Sequence, residues 1–172
     1  MQIENTECEC LSKKILNEYC KLKEEKDLIE LLELLEKEEK IKSYPVNIAE
    51  GGLKKFVEEE NTELKRIIKD EFNYRGVYIA VVEYNDGEKI IKKIIKIGSA
   101  GGIKKMNNSW KMTKQTIGGR INHNTGGLFS KIREKIKSLE NKNENIEKLI
   151  IENTEKLIIY AIKIEEEDIK KG

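Results

Sequence analysis

One proline, one histidine and one tryptophan occur in 172 residues, and aromatic residues of all kinds make up only 6%. Cysteine is scarce and badly placed for a framework: Cys8, Cys10 and Cys20 form an odd set near the N-terminus, with His123 far along the chain as the only histidine. These read as reduced thiols of a cytosolic protein in preference to a metal cluster. No apolar run approaches the length of a membrane span, and the start, MQIENTECEC, lacks the basic and apolar regions of a secretion signal. The expectation is a soluble, cytoplasmic protein with no membrane partner. Net charge is also missing, since 33 basic residues face 32 acidic ones.

What is present is charge of uneven distribution. Residues 1–70 hold 13 Lys and Arg against 18 Asp and Glu, whereas residues 89–139 hold 13 basic residues and a single acid, Glu134. Lysine is common throughout, so the lysine count alone could be background. The loss of acids that are abundant on both sides is not, and it points to a surface that faces a polyanion.

The length suits one domain with an appendage. From Leu11 to about Lys42 apolar residues recur at three- and four-residue spacings, which predicts two helices, with Asp27 as N-cap of the second and a stop before Pro45. After Gly51-Gly52, the positions Leu53, Phe56, Val57, Leu64, Ile67, Ile68 and Phe72 form one long helix or two short ones. At Gly76 the period changes. GVYIAVVEY, the turn signal NDGE and KIIKKIIKIG predict a β-hairpin over 76–98. Ser99 to Thr116 reads as a long loop; TIGGRINH and GLFSKIREKIKSL read as helices, and Asn141 to Asn145 as a polar connector. EKLIIYAIKIE, apolar on both faces, predicts a third strand in the middle of a small sheet. The fold class expected is α+β: an antiparallel or mixed sheet of about three strands flanked by helices over 73–172, behind a helical N-terminal region over 1–72.

Chemistry gathers at the end of the hairpin. Tyr78 and Tyr84 share one face of their strand, and Val77, Ile79 and Val81 the other. A tyrosine hydroxyl acts as a general base where neighbouring cations lower its pKa, and Lys96 is a candidate neighbour; the alternative is a partly buried tyrosine with a satisfied hydroxyl. Gly98, Ser99, Gly101 and Gly102 would let backbone N–H groups approach an anion, and Arg120 offers a planar fork for phosphate. Lys104, Lys105, Lys111 and Lys114 follow as candidate phosphate contacts. The glycine cluster is neither a Walker loop nor a dinucleotide fingerprint.

GVY at 76–78, KIG at 96–98 and GGRINH with Arg120 and His123 together resemble the GIY-YIG nuclease superfamily, over roughly residues 76–165. The run from GSAGG to GGRINH is also similar to outlying branches in which a glycine-bearing loop precedes an arginine and a histidine three residues apart. The resemblance implies hydrolysis of a phosphodiester in DNA, most naturally duplex DNA with RNA as the alternative, supported by Mg²⁺ or Mn²⁺. It implies Tyr78 as the base, Lys96 at the position of the second tyrosine, Arg120 as the phosphate clamp and His123 as a helper. In that family a glutamate on a helix after the third strand holds the metal. Glu165, Glu166, Glu167 and Asp168 follow the strand here with no room for such a helix, so the resemblance assigns no metal ligand and leaves open a relative that binds nucleic acid without cutting. The acidic N-terminal helices would suit a homodimer.

Overall fold

The computed structural model describes residues 25–59, 61–107, 109–140 and 146–165. Helix α1, Glu25–Lys37, leads into strand β1, Lys42–Asn47, and helices α2, Gly52–Glu58, and α3, Thr62–Glu71, follow. The hairpin strands are β2, Gly76–Asn85, and β3, Ile90–Ala100; a ribbon of β4, Ile103–Met106, and β5, Ser109–Met112, comes next. Helices α4, Ile117–Ile121, α5, Leu128–Leu139, and α6, Ile146–Asn153, precede the last strand, β6, Thr154–Lys163. Cys8, Cys10, Cys20, the first expected helix, the 141–145 connector and Glu166 to Asp168 lie outside the described residues.

The main sheet has four strands in the order β1-β6-β2-β3, every neighbouring pair antiparallel. The α+β class and the hairpin are therefore as expected. The two-sided strand also lies in the interior, because Leu157, Ile159 and Ala161 of β6 face one apolar cluster while Ile158, Tyr160 and Ile162 face another. The strand count is corrected from about three to four. The extra strand is KSYPVN, at the end of what the periodicity assigned to helix; α1 stops at Lys37. Pro45 is tolerated in β1 because this strand is an edge, paired only with β6, where a missing N–H need cost no ladder bond. Asp27 lies inside the first turn of α1 and is not its N-cap.

The apolar pattern at 53–72 forms two helices. Asn61 divides them, its Oδ1 accepting from the Leu64 N–H at 2.9 Å as the cap of α3. The hairpin turn is built by side chains of the expected type: Asn85 Oδ1 accepts from Gly87 N–H at 2.8 Å, and Asp86 Oδ1 from Glu88 and Lys89 N–H at 2.9 Å each. Ser99 to Thr116 is not one long loop, since β3 continues to Ala100 and the β4–β5 ribbon fills much of the remainder.

Two layers cover the sheet. Leu28, Ile29, Leu32 and Leu35 of α1 lie against Val77, Ile79 and Val81. Helices α2 to α6 cover the opposite face, where Tyr78, Ala80, Val82 and Tyr84 pack with Leu53, Ile68, Ile117 and Leu128. Residues on either side of position 72 thus share one core, and the N-terminal region supplies a strand as well as helices.

Candidate nucleic-acid interface

The two tripeptides meet in the β2–β3 ladder, with Tyr78 directly opposite Gly98. Their glycines have steric jobs. A Cβ on Gly76 would run into the carbonyl of Ile162 on β6, so the residue sets the approach of the two central strands. A Cβ on Gly98 would strike the Tyr78 ring and come within 2.6 Å of its hydroxyl, so the ring lies across the backbone where only glycine leaves room. This gives Gly98 a packing role, and Ser99 beside it is exposed. Both sit within strand β3, opposite Tyr78 and Val77.

Tyr78 is completely buried, and its hydroxyl has no hydrogen-bond partner among the described residues. Burial pushes its pKa up to about 12, outweighing the Arg120 charge, which pulls the other way. The expected lowering by cations is overturned: desolvation of a sealed phenol exceeds the attraction of one guanidinium, and Arg120 is the neighbouring cation that acts, not Lys96.

Arg120 is held by the short helix α4, which is pinned from several sides. Thr116 caps it through Oγ1, accepting from Gly119 N–H at 3.1 Å; Ile117 N–H donates to Tyr74 O at 2.8 Å and Gly118 N–H to Phe72 O at 2.9 Å. Asn122 Nδ2 donates to Lys65 O at 2.7 Å. A Cβ on Gly118 would lie 2.6 Å from Ile68 O, which explains a glycine inside a helix: α4 rests directly on the backbone of α3. Gly126, at φ +74°, turns beside the guanidinium, where a Cβ would approach Arg120 Nη2 to 2.8 Å. Arg120 has no acidic partner among the described residues. His123 is exposed and engages its own turn, its Nδ1 accepting from Thr125 N–H at 3.2 Å. The structure therefore brings Tyr78, Gly98 and Arg120 together and leaves His123 at the surface.

Lys96 stands opposite Ala80, on the face that α2 to α6 cover, with Tyr78, and has no ion-pair partner among the described residues. Beside it the ladder slips: Ala80 pairs with Lys96 but Val81 with Ile94, so Ile95 is a bulge. A bulge breaks the period of two. The consecutive residues Lys93, Ile94, Ile95 and Lys96 consequently all line an open groove of about 400 Å³, whose other wall carries Lys131 and Lys135. Lys93 pairs with Glu25 at 3.7 Å, Lys131 with Glu134 at 3.2 Å and Lys135 with Glu147 at 3.0 Å. Exposed pairs of this kind are weak and screened by salt. Lys93, Lys131 and Lys135 are basic residues of this groove that the motifs did not single out. Lys131 and Lys135 are one helical turn apart, a visible signal, but that they face β3 depends on how α5 packs.

Lys104, Lys105 and Lys111 lie on the β4–β5 ribbon, and Lys114 is exposed just beyond it. The glycine cluster is the joint into that ribbon: Gly101 adopts φ +81° over the Arg75 stem, and Gly102 O accepts from Thr113 N–H at 3.0 Å. Among the described residues no group of three or more His, Cys, Asp or Glu side chains could hold a metal ion. Among those residues, too, no helix is long and apolar enough to cross a membrane. No protein-family description matches the chain, and neither a curated protein nor a solved structure matches it.

Proposed function

We propose that the chain is a nucleic-acid-binding protein with a GIY-YIG-like sheet, and that it takes the phosphate backbone of DNA along the surface formed by β3, α4 and α5. The observation that carries this reading is the pair of cations Lys96 and Arg120, on the same side of the sheet and without acidic partners among the described residues. Lys93, Lys131 and Lys135 stand beside Lys96 with only weak surface pairs to compete for them. Cations of this kind bind by releasing counterions from the polyanion, so affinity for duplex DNA falls steeply as salt rises. Titration of a labelled duplex at several salt concentrations tests it. A flat response, or no binding at low salt, overturns it.

A second reading, endonuclease, is favoured by one observation: the unpartnered hydroxyl of Tyr78 beside Arg120, a buried polar group left unsatisfied at a cost of about 1–3 kcal/mol. An unsatisfied hydroxyl in a core calls for an explanation, and a chemical role is the one this reading offers. Against it stand the sealed ring and the raised pKa. Incubation of plasmid DNA with Mg²⁺ or Mn²⁺, with and without EDTA, separates the two. Binding without products supports the first reading; cleavage that stops with EDTA and is lost in Tyr78→Phe establishes the second.

A further inference from the structure

The groove between β3 and α5 has a floor that phosphate binding does not use. Leu53, Leu128, Ile132 and Ile150, all buried, form it from the helix side, and the bulged Ile95 forms it from the sheet. None of the residues lining it is aromatic, so it offers no platform on which a nucleobase would stack. Its volume, about 400 Å³, is that of a small-molecule site and suits a single slender chain. Lysines stand on both walls, and the one lining acid, Glu147, is engaged by Lys135 at 3.0 Å. An aliphatic trough edged by ammonium groups is complementary to a ligand with an unbranched apolar tail and one anionic head.

We infer that this groove binds a free long-chain acyl carboxylate, its tail along the aliphatic floor and its head at Lys96, the wall cation without an ion-pair partner among the described residues. The tail contributes by leaving water, in proportion to its length, and the head is fixed by a charge-assisted hydrogen bond from Nζ. Lys131 and Lys135 line the other wall, each in a surface pair, with Glu134 at 3.2 Å and Glu147 at 3.0 Å. This goes beyond the nucleic-acid reading and needs no DNA.

Calorimetric titration of the full chain with dodecanoate, kept below its micellar concentration and without nucleic acid, tests it. The expected result is one saturable site whose affinity falls about fourfold for each methylene removed towards octanoate. Acetate does not bind, and dodecanol binds about tenfold more weakly than dodecanoate for want of the charged hydrogen bond. Lys96→Gln, a rim substitution, weakens dodecanoate about tenfold and leaves dodecanol unchanged. Acetate binding as tightly as dodecanoate, dodecanol equal to dodecanoate, or no saturation overturns the proposal. So does attachment to phosphatidylglycerol vesicles without binding of the monomeric acid. Loss of DNA binding alone has no bearing on it, because every reading here is made without DNA.

Discussion

Tyr78 and Gly98 are the residues on which the candidate site turns, and each makes a separate prediction. The phenol is buried with an unpartnered hydroxyl, so Tyr78→Phe should leave stability in urea unchanged or raise it by about 1 kcal/mol. Its folded pKa of about 12 exceeds the ordinary value near 10. Stability from the neutral phenol is therefore full below pH 10 and lost as pH rises through about 12, because the unfolded chain ionises first. The Phe variant should show a shallower alkaline decline over that window; an identical decline would mean that Tyr78 is not held as a buried neutral phenol. Gly98→Ala drives a methyl group into the ring, and overpacking of this kind should cost about 1–3 kcal/mol in the same denaturation experiment.

At the scale of elements, α1 decides whether the sheet is covered on one side or two. Leu28 and Leu32 are completely buried against the face opposite Tyr78. Polar ties reinforce the contact: Glu25 accepts from the Ile94 N–H at the bulge, and Glu33 pairs with Lys92 at 2.5 Å. Hydrogen bonding to Glu33 holds the Lys92 ammonium above its usual pKa. Leu32→Ala should cost about 2–5 kcal/mol by cavity formation, measurable as a fall in the urea midpoint. A cost under 1 kcal/mol would show that α1 is docked loosely. The ribbon is different, since β4 and β5 hydrogen-bond to each other and not to the main sheet. Replacing Lys104 and Lys105 together with Ala should leave the unfolding transition in place and lower DNA affinity; unfolding would put the ribbon in the core.

For the whole molecule, the even total of charge conceals two unlike parts. The acid-poor stretch 89–139 supplies β3, the ribbon, α4 and α5, of which α4 packs against both β3 and α5, whereas α1 on the opposite face carries Glu25, Glu30, Glu33 and Glu36. Binding to duplex DNA should therefore depend on salt with a negative log–log slope of several units, and Lys96→Gln should reduce that slope by about one. A variant slope equal to that of the parent protein would place the phosphates elsewhere.

The class of fold, the hairpin with its Asn85-Asp86-Gly87 turn, the interior strand LIIYAI and the basic block follow from the sequence by itself. Each rests on local chemistry: period-two burial, side-chain bonds to neighbouring amides, and the absence of acids along one stretch. Other features only the tertiary structure decided. KSYPVN carries a proline that argues against a strand, and becomes one because β6 offers an edge partner that local pattern cannot reveal. Helix α6 takes its form under packing against α2 and α5. The proximity of Tyr78, Gly98 and Arg120 was implicit in the two tripeptides and the arginine, but the sealing of Tyr78 was not. Desolvation is set by the helices folded over a side chain from distant parts of the chain, and it raised the pKa that the local cations were expected to lower. The groove depends on the same kind of fact: a one-residue bulge at Ile95 and the docking of α5 bring lysines 35 to 42 residues apart to two walls of a single trough.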